Sequence, residues 1–225
     1  MIIDAAILEL ETEEIEKQLF FDQLEKLLNI SGESGNEGKI RKHAERILAP
    51  LVDHLTFDSK GNIRAQKRYR GGHGPTILLN AHLDTVLPID PGRIILKEKN
   101  IWTSSSGILG ADDRAGVAVL LQMGKNLKKS RFSGTVKFIL TIEEEIGLVG
   151  AQHVDEYFLW DVDAAVVLDR RGTGDIVVSC GGFIPFCDGK YGKIIESTAI
   201  KAGLTNWKCT NGGSSDTRIW ASNGI

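Results

Sequence analysis

Three short, nearly continuous apolar runs most constrain this chain: Thr76 to Ala81, Val136 to Ile142 and Ala164 to Leu168. A strand with one face in water alternates apolar and polar residues. A strand covered on both faces does not, so these runs predict strands inside a layered sheet. Between and after them lie helix-like stretches, Arg114 to Leu127, Gly147 to Leu159 and Lys190 to Ala202. The alternation predicts an α/β fold: a single domain with a mixed, mostly parallel, twisted sheet and helices on both faces. With 225 residues, 42% of them apolar, the chain has material for one well-buried core and too little for two ordinary ones.

The first third carries different signals. From Thr12 to Asn29, Ile15, Leu19, Phe20, Leu24, Leu27 and Leu28 recur at helical spacing. A Gly/Ser loop from Ser31 to Gly35 ends that helix. Ser34 with Glu37 three residues on has the form of a capping box, which predicts a second helix through Ile40, Ala44, Ile47, Leu48 and Leu51. Leu55 to Phe57, a Ser59 to Asn62 turn and Ile63 to Gln66 predict a hairpin. His43 reads as an ordinary helix residue and His73 as a loop residue.

A formal net charge of -3 gives no electrostatic reason to expect nucleic acid or an anionic membrane as partner. Lys128, Lys129 and Arg131 fall where a helix should end and read as its solvated last turn. Met1 to Leu10 carries Asp4 and Glu9 and lacks the basic start of a signal peptide. No run approaches the roughly 20 apolar residues that cross a bilayer. Cys180, Cys187 and Cys209 are an odd set without Cys-x-x-Cys spacing, which suits reduced thiols in the cytoplasm, with a Cys180 to Cys187 bridge as the alternative.

Each apolar run ends in acidic or histidine-containing sequence: His82-Leu83-Asp84 after the first, Glu143-Glu144-Glu145 after the second, Asp169 after the third. In open α/β sheets the ligand crevice lies beyond the carboxyl ends of the strands, so these groups converge in the predicted fold. Asp112-Asp113 at a helix start adds a carboxylate pair. That many carboxylates in one pocket repel one another, and burial penalises each; a bound dication resolves the conflict. His with carboxylates is a mixture that zinc accepts.

The order His82-Leu83-Asp84, Asp112-Asp113-Arg114-Ala115-Gly116, Glu144-Glu145-Ile146-Gly147 and Asp169 resembles the co-catalytic zinc exopeptidases, the group with peptidase T, acetylornithine deacetylase and bacterial leucyl aminopeptidase. Leu109-Gly110-Ala111-Asp112-Asp113 looks most like peptidase T. The resemblance implies two zinc ions, with Asp112 bridging them, His82 and Asp169 completing the first site and Glu145 serving the second. It implies Glu144 as general base, Asp84 as the carboxylate that orients His82, and a cis bond between Asp112 and Asp113. Gly212 to Asp216 is similar to the glycine-rich loop of the substrate cleft, which would put Gly213, Ser214 and Ser215 beside substrate; a plain turn before a last strand is the alternative. Glu143 is left as a solvated or amine-binding residue, and His153 as packed or solvated.

Two departures from the pattern shape the expectation. Family members place one more His, a second-site ligand, beyond the glycine-rich loop, and this sequence has no His after His153. The expectation is therefore a fragment of a longer protein, or else an incomplete second site. Many relatives also insert a dimerisation domain between the positions of Asp169 and the glycine-rich loop, and the stretch here is too short for one. A monomer acting on a small peptide, with recognition of a free amino terminus, is expected; an N-acyl amino acid is the other candidate substrate. A non-catalytic metal- or peptide-binding domain is the competing class.

Overall fold

The computed structural model describes residues 5–99, 101–172 and 174–225; the first four residues of the Met1 to Leu10 stretch lie outside these. The chain opens with α1 (Ala5–Leu28), which begins before the expected Thr12, and α2 (Gly38–Leu48). The hairpin follows as β1 (His54–Phe57) and β2 (Ile63–Tyr69). Its turn is built by Asp58, whose Oδ1 accepts hydrogen bonds from the backbone N–H groups of Lys60, Gly61 and Asn62. The three apolar runs form β3 (Thr76–His82), β6 (Gly134–Thr141) and β7 (Ala164–Val167). Between the first two lie a small hairpin, β4 (Ile95–Glu98) with β5 (Ile101–Ser104), and the long helix α3 (Ala111–Asn126).

The main sheet runs β1-β2-β6-β3-β7. It is mixed: β3 is parallel to both β6 and β7, while β2 is antiparallel to β1 and β6. Alternate side chains of β6 face opposite cores, which explains its unbroken apolar run. Phe138 and Leu140 join the core made with Leu27 of α1, Ile40, Leu48, Val117 and Leu121. Ile139 joins Leu78, Ala151, Leu159 and Trp220 on the other face. Each fully buried aliphatic or aromatic side chain here contributes about 1.5–3 kcal/mol of transfer free energy. Lys137 interrupts the run without exposing itself: its ammonium reaches the Asp161 carboxylate and the Phe158 carbonyl and lies over the Phe158 ring.

Two expectations need correction, and two of the alternatives fall away. Ser34 and Glu37 do not form a capping box: Ser34 Oγ donates to Asp84 Oδ2 at 2.7 Å, and Glu37, itself the residue before α2, accepts from the N–H groups of Gly35 and Glu143 instead. The stretch from Gly147 to Leu159 is two short helices, α4 (Val149–Gln152) and α5 (Glu156–Leu159), because Asp155 starts a new helix by accepting from Tyr157 N–H. Gly212 to Asp216 leads into a helix, α7 (Thr217–Ser222), and not into a strand. The three cysteines are free thiols, so Cys180 and Cys187 are not bridged. Residues after β7 add a second, three-stranded sheet in the order β10-β8-β9, from β8 (Asp175–Cys180), β9 (Ile184–Pro185) and β10 (Lys208–Gly212), with α6 (Gly189–Lys201) against it. No helix among the described residues is long and apolar enough to cross a membrane.

Candidate metal centre

The parallel strands β6, β3 and β7 end side by side, so the groups just beyond them share one crevice. His82 is the last residue of β3 and is almost wholly buried. Its Nε2 lies 3.1 Å from Asp112 Oδ1, 3.9 Å from Asp169 Oδ1 and 4.0 Å from Glu144 Oε2. Two triads of donor atoms are close enough to hold a cation: His82, Asp112 and Glu145, and His82, Glu144 and Asp169. These fit a divalent metal by donor chemistry, since a nitrogen and several carboxylate oxygens converge without enough protein cations to neutralise them. All five of these sequence-predicted residues meet in this crevice. One group sets Asp112 beside Glu145, the pair that the resemblance assigns to the second ion, and the other sets Glu144 beside Asp169.

Asp84 lies beneath the imidazole, fully buried, with Oδ1 3.3 Å from His82 Nδ1. It also accepts from Ser34 Oγ and from the backbone N–H groups of Glu144 and Glu145. One carboxylate thus fixes the imidazole on β3 and the acidic loop after β6. Burial works against its charge, but the bonded His82, the two amides and Ser34 outweigh that and hold its pKa down at about 2. Burial likewise pushes the His82 imidazolium down; the hydrogen bonds to Asp112 and Asp84 and the nearby charges of Asp113 and Asp169 win and raise it well above the usual imidazole value.

Glu144 and Asp169 shift the opposite way. Burial, with repulsion from Asp169, Asp216 and Glu145, raises Glu144 to about 8 despite the nearby His82. Burial and the charges of Asp112, Asp216 and Glu145 raise Asp169 to about 6. Asp112, exposed at the crevice mouth, is lowered by its bond to His82. A site that holds carboxylates above their usual range at neutral pH is electrostatically prepared for a cation.

Several motif residues to which the sequence assigns no role position the site. Asp113 is buried and accepts from His82 N–H with Oδ2 and from Gly116 N–H with Oδ1, so it ties β3 to the start of α3. The Asp112–Asp113 peptide bond is cis. A Cβ on Gly116 would lie 2.2 Å from Leu168 O and 2.3 Å from Asp113 Oδ1, so only glycine lets α3 pack this close to the end of β7. Arg114 is fully buried and donates to the carbonyls of Ile30 and Gly32, in the loop that carries Ser34. Asp216, also buried, accepts from Thr141 Oγ1 at 2.5 Å at the end of β6. Glu143 is paired with Lys60 at 2.8 Å, and His153 is exposed at the end of α4 with Nδ1 against Val149 O.

A cavity of about 350 Å³ adjoins the crevice, lined by Glu144, Glu145, Leu148, Ser214, Arg218 and Ile219 among others. Of the three loop residues expected beside substrate, only Ser214 lines it. Ser215 is buried, its Oγ bonded to Thr217.

Fold and motif order are similar to those of the co-catalytic exopeptidases, the group that includes peptidase T. The family model described as M42 glutamyl aminopeptidase matches residues 86–189. Protein YqjE of Bacillus subtilis (strain 168) is 31% identical over 180 residues, covering 73% of this chain and 46% of that protein. Peptidase T of Clostridium botulinum is 32% identical over 143 residues, 61% of this chain and 33% of the enzyme. The chain therefore spans about half or less of the length of these curated relatives. In fold it is similar to the crystal structure of aminopeptidase PepT from Bacillus cereus ATCC 10987, with a TM-score of 0.81 at 19% identity, covering 92% of this chain and 87% of that one.

Proposed function

We propose that the protein is a metal-dependent aminopeptidase that releases the first residue of short peptides, with zinc as the metal and two ions in the complete site. The observation that carries this reading is the convergence of His82, Glu144, Glu145 and Asp169, at the ends of three adjacent strands, with Asp112 at the start of α3. Bound there, divalent ions would supply positive charge that acidifies water and polarises the scissile carbonyl. Asp112, His82 and Asp169 would hold the first ion, and Asp112 with Glu145 the second. Asp84 keeps His82 oriented with Nε2 free for the ion, because its carboxylate already occupies Nδ1.

Glu144 is the general base. Its carboxylate reaches into the crevice beside His82 and Asp169, and burial among like charges raises its proton affinity. It takes a proton from the attacking water and returns it to the leaving nitrogen. Glu144→Gln should therefore lower kcat by about 10²–10⁴-fold, with metal content measured by atomic absorption nearly unchanged. Full hydrolysis of tripeptides by that variant would remove Glu144 from the role. A protein that binds zinc tightly and cleaves no amino-acid amide, tripeptide or N-acyl amino acid would instead be a metal-binding domain.

A further inference from the structure

The hairpin turn between β1 and β2 reaches the acidic loop after β6, although nothing in the motif order points to it. Asn62, the last residue of that turn, is fully buried. Its Oδ1 accepts from Ile142 N–H at 3.0 Å, and its Nδ2 donates to Gly150 O at 2.8 Å. Ile142 and Gly150 flank the loop from Glu143 to Val149, and Gly150 N–H itself donates to Ile142 O at 3.0 Å. One side-chain amide therefore closes the neck of the loop from both sides. The neck is tight: a Cβ on Gly150 would lie 2.6 Å from Asn62 Oδ1. Asn62 is held in turn by Asp58, whose Oδ2 accepts from Nδ2 at 2.6 Å.

The same turn holds the loop a second time, at Glu143. The Glu143 carboxylate pairs with Lys60 Nζ at 2.8 Å, both side chains being partly covered. Its backbone has a φ of 51°, in the left-handed region that a residue with a Cβ keeps only where its surroundings impose it. The imposing contacts are the N–H donated to Glu37 Oε1, the carbonyl that accepts from Val149 N–H, and the pair with Lys60. Immediately after this bend, the N–H groups of Glu144 and Glu145 both reach Asp84. We propose that Asn62 and Lys60 are positioning residues, which set the places of Glu144 and Glu145 by holding the loop that carries them. The proposal rests on the roles given above to those two carboxylates. A displacement of about 1 Å in a reacting group costs about 10²-fold in rate, and loss of a group that orients a metal ligand costs about 10–100-fold in affinity.

The test reads zinc affinity, by competition with a chromophoric chelator, and steady-state hydrolysis of trialanine, both on the full chain. Lys60→Met and Glu143→Gln should each lower kcat about tenfold, with KM nearly unchanged, and weaken zinc binding severalfold. An ion pair this close to the surface contributes little to folding, so the urea midpoint should stay at the parent value. The double variant should lose no more than either single one, and the swap of Lys60→Glu with Glu143→Lys should recover part of the rate. Asn62→Ala should lower kcat about 10²-fold and zinc affinity about tenfold. If that variant does not fold, the Lys60 and Glu143 variants still decide the matter. Charge alone would move zinc affinity in opposite directions when a cation and an anion are removed, whereas displacement of the loop weakens it in both. Opposite shifts, parent values of kcat and zinc affinity in both variants, or a loss of rate matched by an equal loss of folded protein would overturn the proposal. Weakened zinc binding in both variants of a chain that cleaves no peptide would keep the positioning role and reject the aminopeptidase reading.

Discussion

Ser34 links a loop that sequence reasoning treats as helix entry to the centre of the molecule. Its hydroxyl is one of four groups that meet the Asp84 carboxylate, alongside His82 Nδ1 and the amides of Glu144 and Glu145. Removing it leaves Asp84 charged and buried with one donor fewer, a loss of about 1 kcal/mol by the ordinary worth of such a bond. Ser34→Ala should therefore weaken zinc binding severalfold in a competition titration with a chromophoric chelator, and Ser34→Thr should recover much of it. Unchanged affinity in the alanine variant would show that the amides alone suffice to hold Asp84. A residue three before Glu looks like a cap because local spacing is all a sequence displays. The partner that wins Ser34 is fifty positions away, and only the folded sheet brings it near.

At the scale of elements, the three apolar strands, the first two helices and the hairpin were legible because burial on two faces, helical periodicity and turn residues are local properties. The convergence of the His and acidic segments was legible for a related reason: each follows a strand end, and parallel neighbours end together. The second sheet was not, since β8 and β10 are short, half-buried and joined across α6. The role of α7 was also hidden. Trp220 on that helix is fully buried, and its indole N–H donates to Asn80 Oδ1 at 2.9 Å on the inner strand β3. Asp216, just before α7, is bonded to Thr141 on β6. The helix thus anchors the glycine-rich loop to the two strands that carry His82 and Glu144. Trp220→Ala should cost about 3–5 kcal/mol, seen as a lower denaturation midpoint in urea. Trp220→Phe should keep most of the packing and lose the hydrogen bond, so its cost should be smaller. An alanine variant as stable as the parent would mean that α7 is only loosely docked.

For the whole molecule, the site makes stability depend on pH in opposite senses with and without metal. Glu144 at about 8, Asp169 at about 6 and His82 well above its usual value all bind protons more tightly in the folded chain than in an unfolded one. Between about pH 4 and 8 the folded state therefore holds more protons, and stability must fall as pH rises through that window. Asp84, lowered to about 2, works the other way, but its contribution is lost only as pH falls below the ordinary carboxylate range. Zinc needs those same groups deprotonated, so its binding strengthens with pH and stabilises the fold by mass action. In chelator, the melting temperature should fall between pH 5.5 and 8. With excess zinc, the stabilisation relative to chelator should grow over the same interval. The zinc titration at pH 8 should show one strong step followed at most by a weak one, because both donor triads share His82 Nε2 and one ring nitrogen serves one ion. Two equally tight steps would mean that another group completes the second site, and a zinc-induced stabilisation that shrinks towards pH 8 would contradict the assignment of these carboxylates as ligands.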